Sequence, residues 1–174
     1  MQLKNFSISC KINGRTYEEN IAPDRTLIEF LRGLGFLSVK QGCDTSNCGL
    51  CTVWLDGTPV LSCSMLAARA NGRAITTIEG VQEEATAFAG FMAAQGADQC
   101  GFCSPGLVMN ILAMERELDD PTPEDIKHYL AGNLCRCTGY ASQMRAIEAY
   151  LAAKTAKTAA ATTAAPAAPA EGGA

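Results

Sequence analysis

The sequence predicts an α+β chain. A small mixed β-sheet occupies residues 1–80, a four-helix unit residues 81–153, and an Ala/Pro-rich flexible tail residues 154–174. Three observations carry this prediction. Apolar and polar residues alternate with period two in short runs before Gly80. Beyond Gly80 the apolar residues recur at three- and four-residue spacing. After Leu151 the chain is Ala, Thr, Lys, Pro, Glu and Gly, with no bulky apolar side chain to bury.

The elements follow in order. Phe6, Ile8, Cys10 and Ile12 alternate with Ser7, Ser9 and Lys11, which is a strand with one buried face. Asn13-Gly14 is a hairpin turn, and Arg15 to Glu18 is the returning strand. Asp24 is placed to cap a short helix over Leu27, Ile28, Phe30 and Leu31, ended by Gly33 and Gly35. A loop rich in Gly, Asp, Ser and Asn follows. Thr52–Leu55 and Pro59–Leu61 flank a second hairpin turn at Asp56-Gly57. Ser64 is placed to cap a helix through Ala70, and Ala74 to Ile78 reads as a last strand. In the second part Phe88, Phe91 and Met92 share a helical face. Ser104-Pro105 opens the next helix, with Leu107, Ile111, Met114 and Leu118 as its stripe. Thr122-Pro123 opens a third, and Met144, Ile147, Tyr150 and Leu151 mark a fourth.

Composition bounds the function. Of 174 residues, 48% are hydrophobic and 18% charged, which describes a globular chain. A net charge of −4 gives no footprint for nucleic acid. No apolar run reaches the roughly 18–20 residues of a membrane span. The first residues lack the pattern of a secretory signal, so the expected location is cytoplasmic. In a reducing compartment closely spaced cysteines read as metal ligands before disulfides.

The chain has nine cysteines, and eight fall into two quartets. The first is Cys43-x4-Cys48-x2-Cys51 with Cys63 beyond. The second is Cys100-x2-Cys103 with Cys135-Arg136-Cys137. The first spacing is that of plant-type [2Fe–2S] ferredoxins. Three thiolates on one loop can wrap a cluster whose net negative charge calls for inward-pointing backbone N–H groups. Gly42 and Gly49 remove side chains that would block that approach. Structural zinc also takes four thiolates but favours two Cys-x2–4-Cys knuckles, and Cys51 and Cys63 do not make a second one. The spacing of the second quartet alone leaves cluster and zinc open.

The residues around the cysteines add a resemblance. Val39-Lys40-Gln41-Gly42-Cys43, Cys48-Gly49-Leu50-Cys51-Thr52-Val53 and Ser62-Cys63 come first. Thr77-Ile78-Glu79-Gly80, Gln99-Cys100-Gly101-Phe102-Cys103-Ser104-Pro105-Gly106 and Gly132-Asn133-Leu134-Cys135-Arg136-Cys137-Thr138-Gly139-Tyr140 follow in that order. Over residues 3–151 the chain closely resembles the small iron–sulfur subunit of the molybdenum hydroxylases, the xanthine oxidase, aldehyde oxidoreductase and carbon monoxide dehydrogenase family.

The resemblance implies a β-grasp, ferredoxin-like domain followed by a helical [2Fe–2S]-binding domain, with one cluster in each. It implies an electron-transfer role in a heteromeric oxidoreductase. A large subunit would carry molybdopterin, as the cytosine dinucleotide, and a medium subunit would carry FAD. The first quartet would face the flavin and the second the molybdenum. Gln99 and Cys137 would contact the pterin. This chain would contribute no catalytic residue of its own. A free-standing two-cluster carrier is the alternative, and a zinc-stapled interaction module is a third reading. The loop Asp44-Thr45-Ser46-Asn47 departs from the glycine- and glutamate-rich form of many members and is similar to loops of the carbon monoxide dehydrogenase branch.

Single residues outside the quartets have bland expectations. Cys10 shares the buried strand face with Ile8 and Ile12 and is a small core residue. His128, the one histidine, is expected at the surface, and Trp54 in core packing.

Overall fold

The computed structural model describes residues 4–163, with side chains through residue 156. Strand β1 (Phe6–Ile12) turns back into β2 (Arg15–Ile21), pairing Phe6 with Ile21 and Ile12 with Arg15. The turn residues Asn13 and Gly14 lie at φ 49° and 81°. Two left-handed residues in succession give the turn whose twist matches the flanking strands. Helix α1 (Leu27–Gly33) follows. Strands β3 (Thr52–Leu55) and β4 (Thr58–Leu61) make the second hairpin, and β5 (Ala74–Thr76) closes the sheet. The order is β2-β1-β5-β3-β4, with β1 and β5 parallel and the other pairs antiparallel.

The alternation in β1 buries Ile8, Cys10 and Ile12. They meet Leu27, Phe30 and Leu31 of α1, together with Val53 and Ile75. A five-stranded mixed sheet with one helix against a face is the expected β-grasp arrangement. Helices α2 (Gln82–Ala94), α3 (Ser104–Glu117), α4 (Pro123–Tyr129) and α5 (Ala141–Thr163) form a second core around Phe88, Met109, Ile111 and Tyr150. Both Phe88 and Phe91 meet the Tyr150 ring edge-on, at 5.2 and 5.6 Å between centroids. Among the described residues no helix is long and apolar enough to cross a membrane.

Local signals misplaced several boundaries, each for a visible reason. The cap of α1 is Thr26, not Asp24. The Thr26 side chain accepts from Glu29 N–H while the Glu29 carboxylate accepts from Thr26 N–H. This reciprocal box needs Glu three residues after the cap, which Asp24 lacks. Thr26→Ala is therefore expected to cost about 1 kcal/mol, read as a lower urea midpoint at unchanged slope. The helix expected over Ser64–Ala70 is two single 3-10 turns, Ser62–Ser64 and Ala67–Ala70. Met65 and Leu66 are held extended between them, because Leu27 N–H donates to the Met65 carbonyl and Leu66 bridges Thr26.

Strand β5 stops at Thr76 rather than Ile78, because Thr77 N–H donates to Asn13 Oδ1 and Ile78–Gly80 turns as a 3-10 helix. Cys103, not Ser104, stands at the N-cap of α3, since the Ser104 hydroxyl donates to Asp98. Helix α5 runs ten residues into the segment expected as tail. Alanine is the best helix former, and no proline interrupts the run before Pro166. Residues 164–174 of that expected tail lie outside the described residues.

The two cores meet along one seam. The Trp54 indole N–H donates to the Met109 carbonyl at 3.0 Å, and the Arg116 guanidinium lies 3.6 Å over the Trp54 ring. Asn110 Nδ2 donates to Asn133 Oδ1 at 2.7 Å and to Thr52 Oγ1 at 3.3 Å. Trp54 is thus a core residue, as expected, and also the hinge-pin between the sheet and the helices.

Candidate metal centres

The first three cysteines of the first quartet lie on the loop between α1 and β3, and Cys63 on the 3-10 turn that follows β4. Pairing β3 with β4 brings Cys63 back beside Cys51: Ser62 N–H and the Ser62 hydroxyl both donate to the Cys51 carbonyl, the latter at 2.7 Å. Cys100 and Cys103 lie on the turn into α3. Cys135 and Cys137 lie on the turn between α4 and α5.

The thiols come together two by two. Cys43 meets Cys48, Cys51 meets Cys63, and Cys103 meets Cys135. Cys100 and Cys137 stand 3.5 Å apart, sulfur to sulfur. Among the described residues no three His, Cys, Asp or Glu side chains converge on one point fit for a single metal ion.

Electrostatics differ within the pairs. The Cys48 thiol, then the N–H groups of Asn47 and Thr45, pull Cys43 down to about 6. Burial pushes Cys51 up to about 11 and Cys103 up to about 12. Burial opposes ionisation of Cys135 as well. The Thr138 hydroxyl and the N–H groups of Cys137 and Thr138 outweigh it and bring Cys135 to about 7. Two touching thiolates repel, so in each pair the second ionisation needs a cation to proceed.

One cleft of about 410 Å³ reaches Cys43 and Cys48 of the first quartet and all four cysteines of the second. Phe102, Leu134 and Tyr140 line it and remain 42–47% exposed. Gln99, Cys100 and Cys137 are exposed on this second-quartet side, while Cys48 and Cys51 are buried. A backbone hydrogen bond joins the quartets: Leu134 N–H, one residue before Cys135, donates to the Cys48 carbonyl at 2.9 Å.

The two loop glycines have different reasons. A Cβ on Gly42 would press on Leu50 at 2.7 Å and sit 3.5 Å from Cys48 Sγ, in keeping with crowding inside the loop. Gly49, at φ 72°, faces the helices instead: its Cβ would meet the Gly132 carbonyl at 2.5 Å. Gly106 faces back, 2.5 Å from the Gly49 carbonyl by the same measure. Cys10 is buried, with its thiol pushed up by burial, and His128 is exposed. Spacing gave no hint of the Asn110, Asn133 and Leu134 contacts. The Gly132-Asn133-Leu134 run before Cys135 was their only trace.

A mixed sheet and a helical unit, each holding two close pairs of thiols, have the donor set of a two-centre metal protein. Known proteins agree. The family described as "2Fe-2S iron-sulfur cluster binding domain" matches residues 10–75, and the "[2Fe-2S] binding domain" matches residues 77–148. The chain is 46% identical over 141 residues to the xanthine dehydrogenase iron-sulfur-binding subunit of Escherichia coli, covering 79% of this chain and 89% of that one. It is 39% identical over 141 residues to the nicotinate dehydrogenase small FeS subunit of Eubacterium barkeri, covering 79% and 90%. Among solved structures, a chain of quinoline 2-oxidoreductase from Pseudomonas putida 86 superposes with a TM-score of 0.80 at 33% identity, covering 90% of this chain and 98% of that one. Aldehyde oxidoreductase from Desulfovibrio gigas gives 0.78 at 34% identity, covering 87% and 17%.

The chain belongs to the family of small [2Fe–2S] subunits of the molybdenum hydroxylases. It is an electron-transfer subunit of an oxidoreductase.

Proposed function

We propose that Cys43, Cys48, Cys51 and Cys63 hold one [2Fe–2S] cluster, and Cys100, Cys103, Cys135 and Cys137 the other. When bound, each cluster accepts and releases one electron. The observation that carries this reading is the grouping of eight thiols into four close pairs. A tetrahedral metal with bonds of about 2.3 Å to sulfur spaces two ligand sulfurs about 3.8 Å apart. The 3.5 Å between Cys100 and Cys137 fits two ligands of one such metal. Two pairs per quartet fit two metals, where a single zinc would draw four thiols to one point. The N–H groups of Asn47 and Thr45 at Cys43, and of Cys137 and Thr138 at Cys135, are placed to offset ligand charge.

The chain divides into residues 1–80 and a helical unit from residue 81 that runs to the end of α5 at Thr163, one cluster in each. Residues Gln99 and Cys137, on the exposed side, contact the molybdopterin of a large subunit, carried as the cytosine dinucleotide. A medium FAD-binding subunit meets the first quartet. Electrons from the large subunit pass through this chain to the flavin in the cytoplasm. The Leu134–Cys48 hydrogen bond supports the middle of that route, since it ties the residue before Cys135 to the backbone of Cys48 by one contact. Relatives named for xanthine and nicotinate share this subunit type, so substrate choice rests with the large chain.

Elemental analysis of the isolated complex tests the reading. Iron and acid-labile sulfide in equal amounts are expected, with two distinct [2Fe–2S] paramagnetic signals on reduction. Zinc without sulfide would overturn it. Isolation of this chain as a lone monomer would overturn the partner assignment.

A further inference from the structure

Each quartet has a hydroxyl beside a cysteine sulfur whose proton no carbonyl takes; the Ser62 hydroxyl, also beside the Cys51 thiol, donates to the Cys51 carbonyl instead. Thr138 Oγ1 lies 3.2 Å from Cys135 Sγ, which also takes the N–H groups of Cys137 and Thr138 at 3.4 and 3.5 Å. The same hydroxyl oxygen accepts Tyr140 N–H at 3.3 Å. That engages a lone pair on the Tyr140 side and leaves the hydroxyl proton for the sulfur. In the first quartet Ser46 Oγ lies 3.5 Å from Cys63 Sγ. Ser46 sits at φ 58°, a left-handed backbone that fixes the direction in which its short side chain leaves the loop. It belongs to the Asp44-Thr45-Ser46-Asn47 run between the first two cysteines of the loop.

A cysteine sulfur bound to metal has no proton, so in both contacts the hydroxyl must donate. A hydrogen bond to sulfur is stronger when the sulfur carries more negative charge. Reduction adds one electron to a cluster, and part of that charge falls on its ligand sulfurs. The donor therefore favours the reduced form and raises the potential.

We propose that Thr138 and Ser46 are the potential-setting residues of this subunit, one for each cluster, acting through Cys135 and Cys63. The proposal rests on the two-cluster reading. Both are positioning residues, and neither touches substrate.

Potentiometric titration of the complete complex, followed by paramagnetic resonance, tests it. Thr138→Val is expected to shift the reduction equilibrium of one signal about tenfold toward the oxidised form, or about 59 mV for one electron. The other signal should not move. Ser46→Ala is expected to shift the second signal and leave the first. Thr138→Ser keeps the donor and should restore the wild-type potential. Thr138→Val also removes the acceptor of Tyr140 N–H, so if that variant fails to assemble, Ser46→Ala decides. The contact with Cys63 is the one described hydrogen bond of Ser46. Two wild-type signals that no assembled variant moves would overturn the proposal. Absence of two signals from the wild type would overturn the cluster reading as well, which separates the two failures.

Discussion

Cys100→Ser is expected to abolish turnover with a flavin-linked acceptor and to delete one of the two paramagnetic signals. Cys100 pairs with Cys137 at 3.5 Å on the exposed side of the helical unit. Serine keeps the shape but replaces a soft thiolate ligand with a hard, poorly ionised hydroxyl. The pair is then half a site, and Cys137 loses its partner sulfur. The other signal should survive, because the first quartet is built on α1, β3 and β4 around a separate core. Unchanged turnover in a correctly assembled complex would count decisively against the assigned route. Loss of both signals would mean that the helical unit supports the first cluster.

Gly49→Ala is expected to have the largest effect on stability. The backbone at φ 72° costs a non-glycine residue about 1–2 kcal/mol. The new methyl would also press on the Gly132 carbonyl and on Asn133, both within 2.8 Å. Neither neighbour is a free chain end that can swing away. Overpacking of this kind costs about 1–3 kcal/mol more. Thermal unfolding should show the loss. Transfer between the two proposed clusters should slow as well, because relief of the clash moves the 132–137 turn away from the 43–51 loop. Gly106→Ala attacks the same seam from the other side, where the Gly49 carbonyl stands 2.5 Å from the added carbon. If Gly49→Ala leaves both stability and cluster-to-cluster transfer intact, the seam does not hold the quartets in register.

Much of this was legible in the sequence because it is local. Period-two alternation gave β1 with its buried Cys10, and Asn13-Gly14 and Asp56-Gly57 gave both hairpins. Thr122 caps α4 through the box with Asp125, as the Thr-Pro start implied. Cysteine spacing grouped the eight thiols, because loops that wrap a small inorganic core have little freedom in length. What spacing cannot carry is the pairing across elements. Nothing local joins Cys103 to Cys135 rather than to Cys137, since that depends on how the turn before α3 meets the turn before α5. Strand contacts likewise overrode a helix signal at Met65 and Leu66. Gly49 makes room for the neighbouring unit rather than for a cluster, and a glycine in a sequence does not say which side is crowded.

The hydrogen bond from Leu134 to the Cys48 carbonyl has a consequence for assembly. It fixes the turn before Cys135 against the 43–51 loop within a single polypeptide, and with it the inner step of the proposed route. On the proposed route, docking of partner subunits would then adjust the two outer steps alone. A relay built this way can be fitted to new partners by changing the rims around Cys137 and Cys43, and its internal stride stays the same.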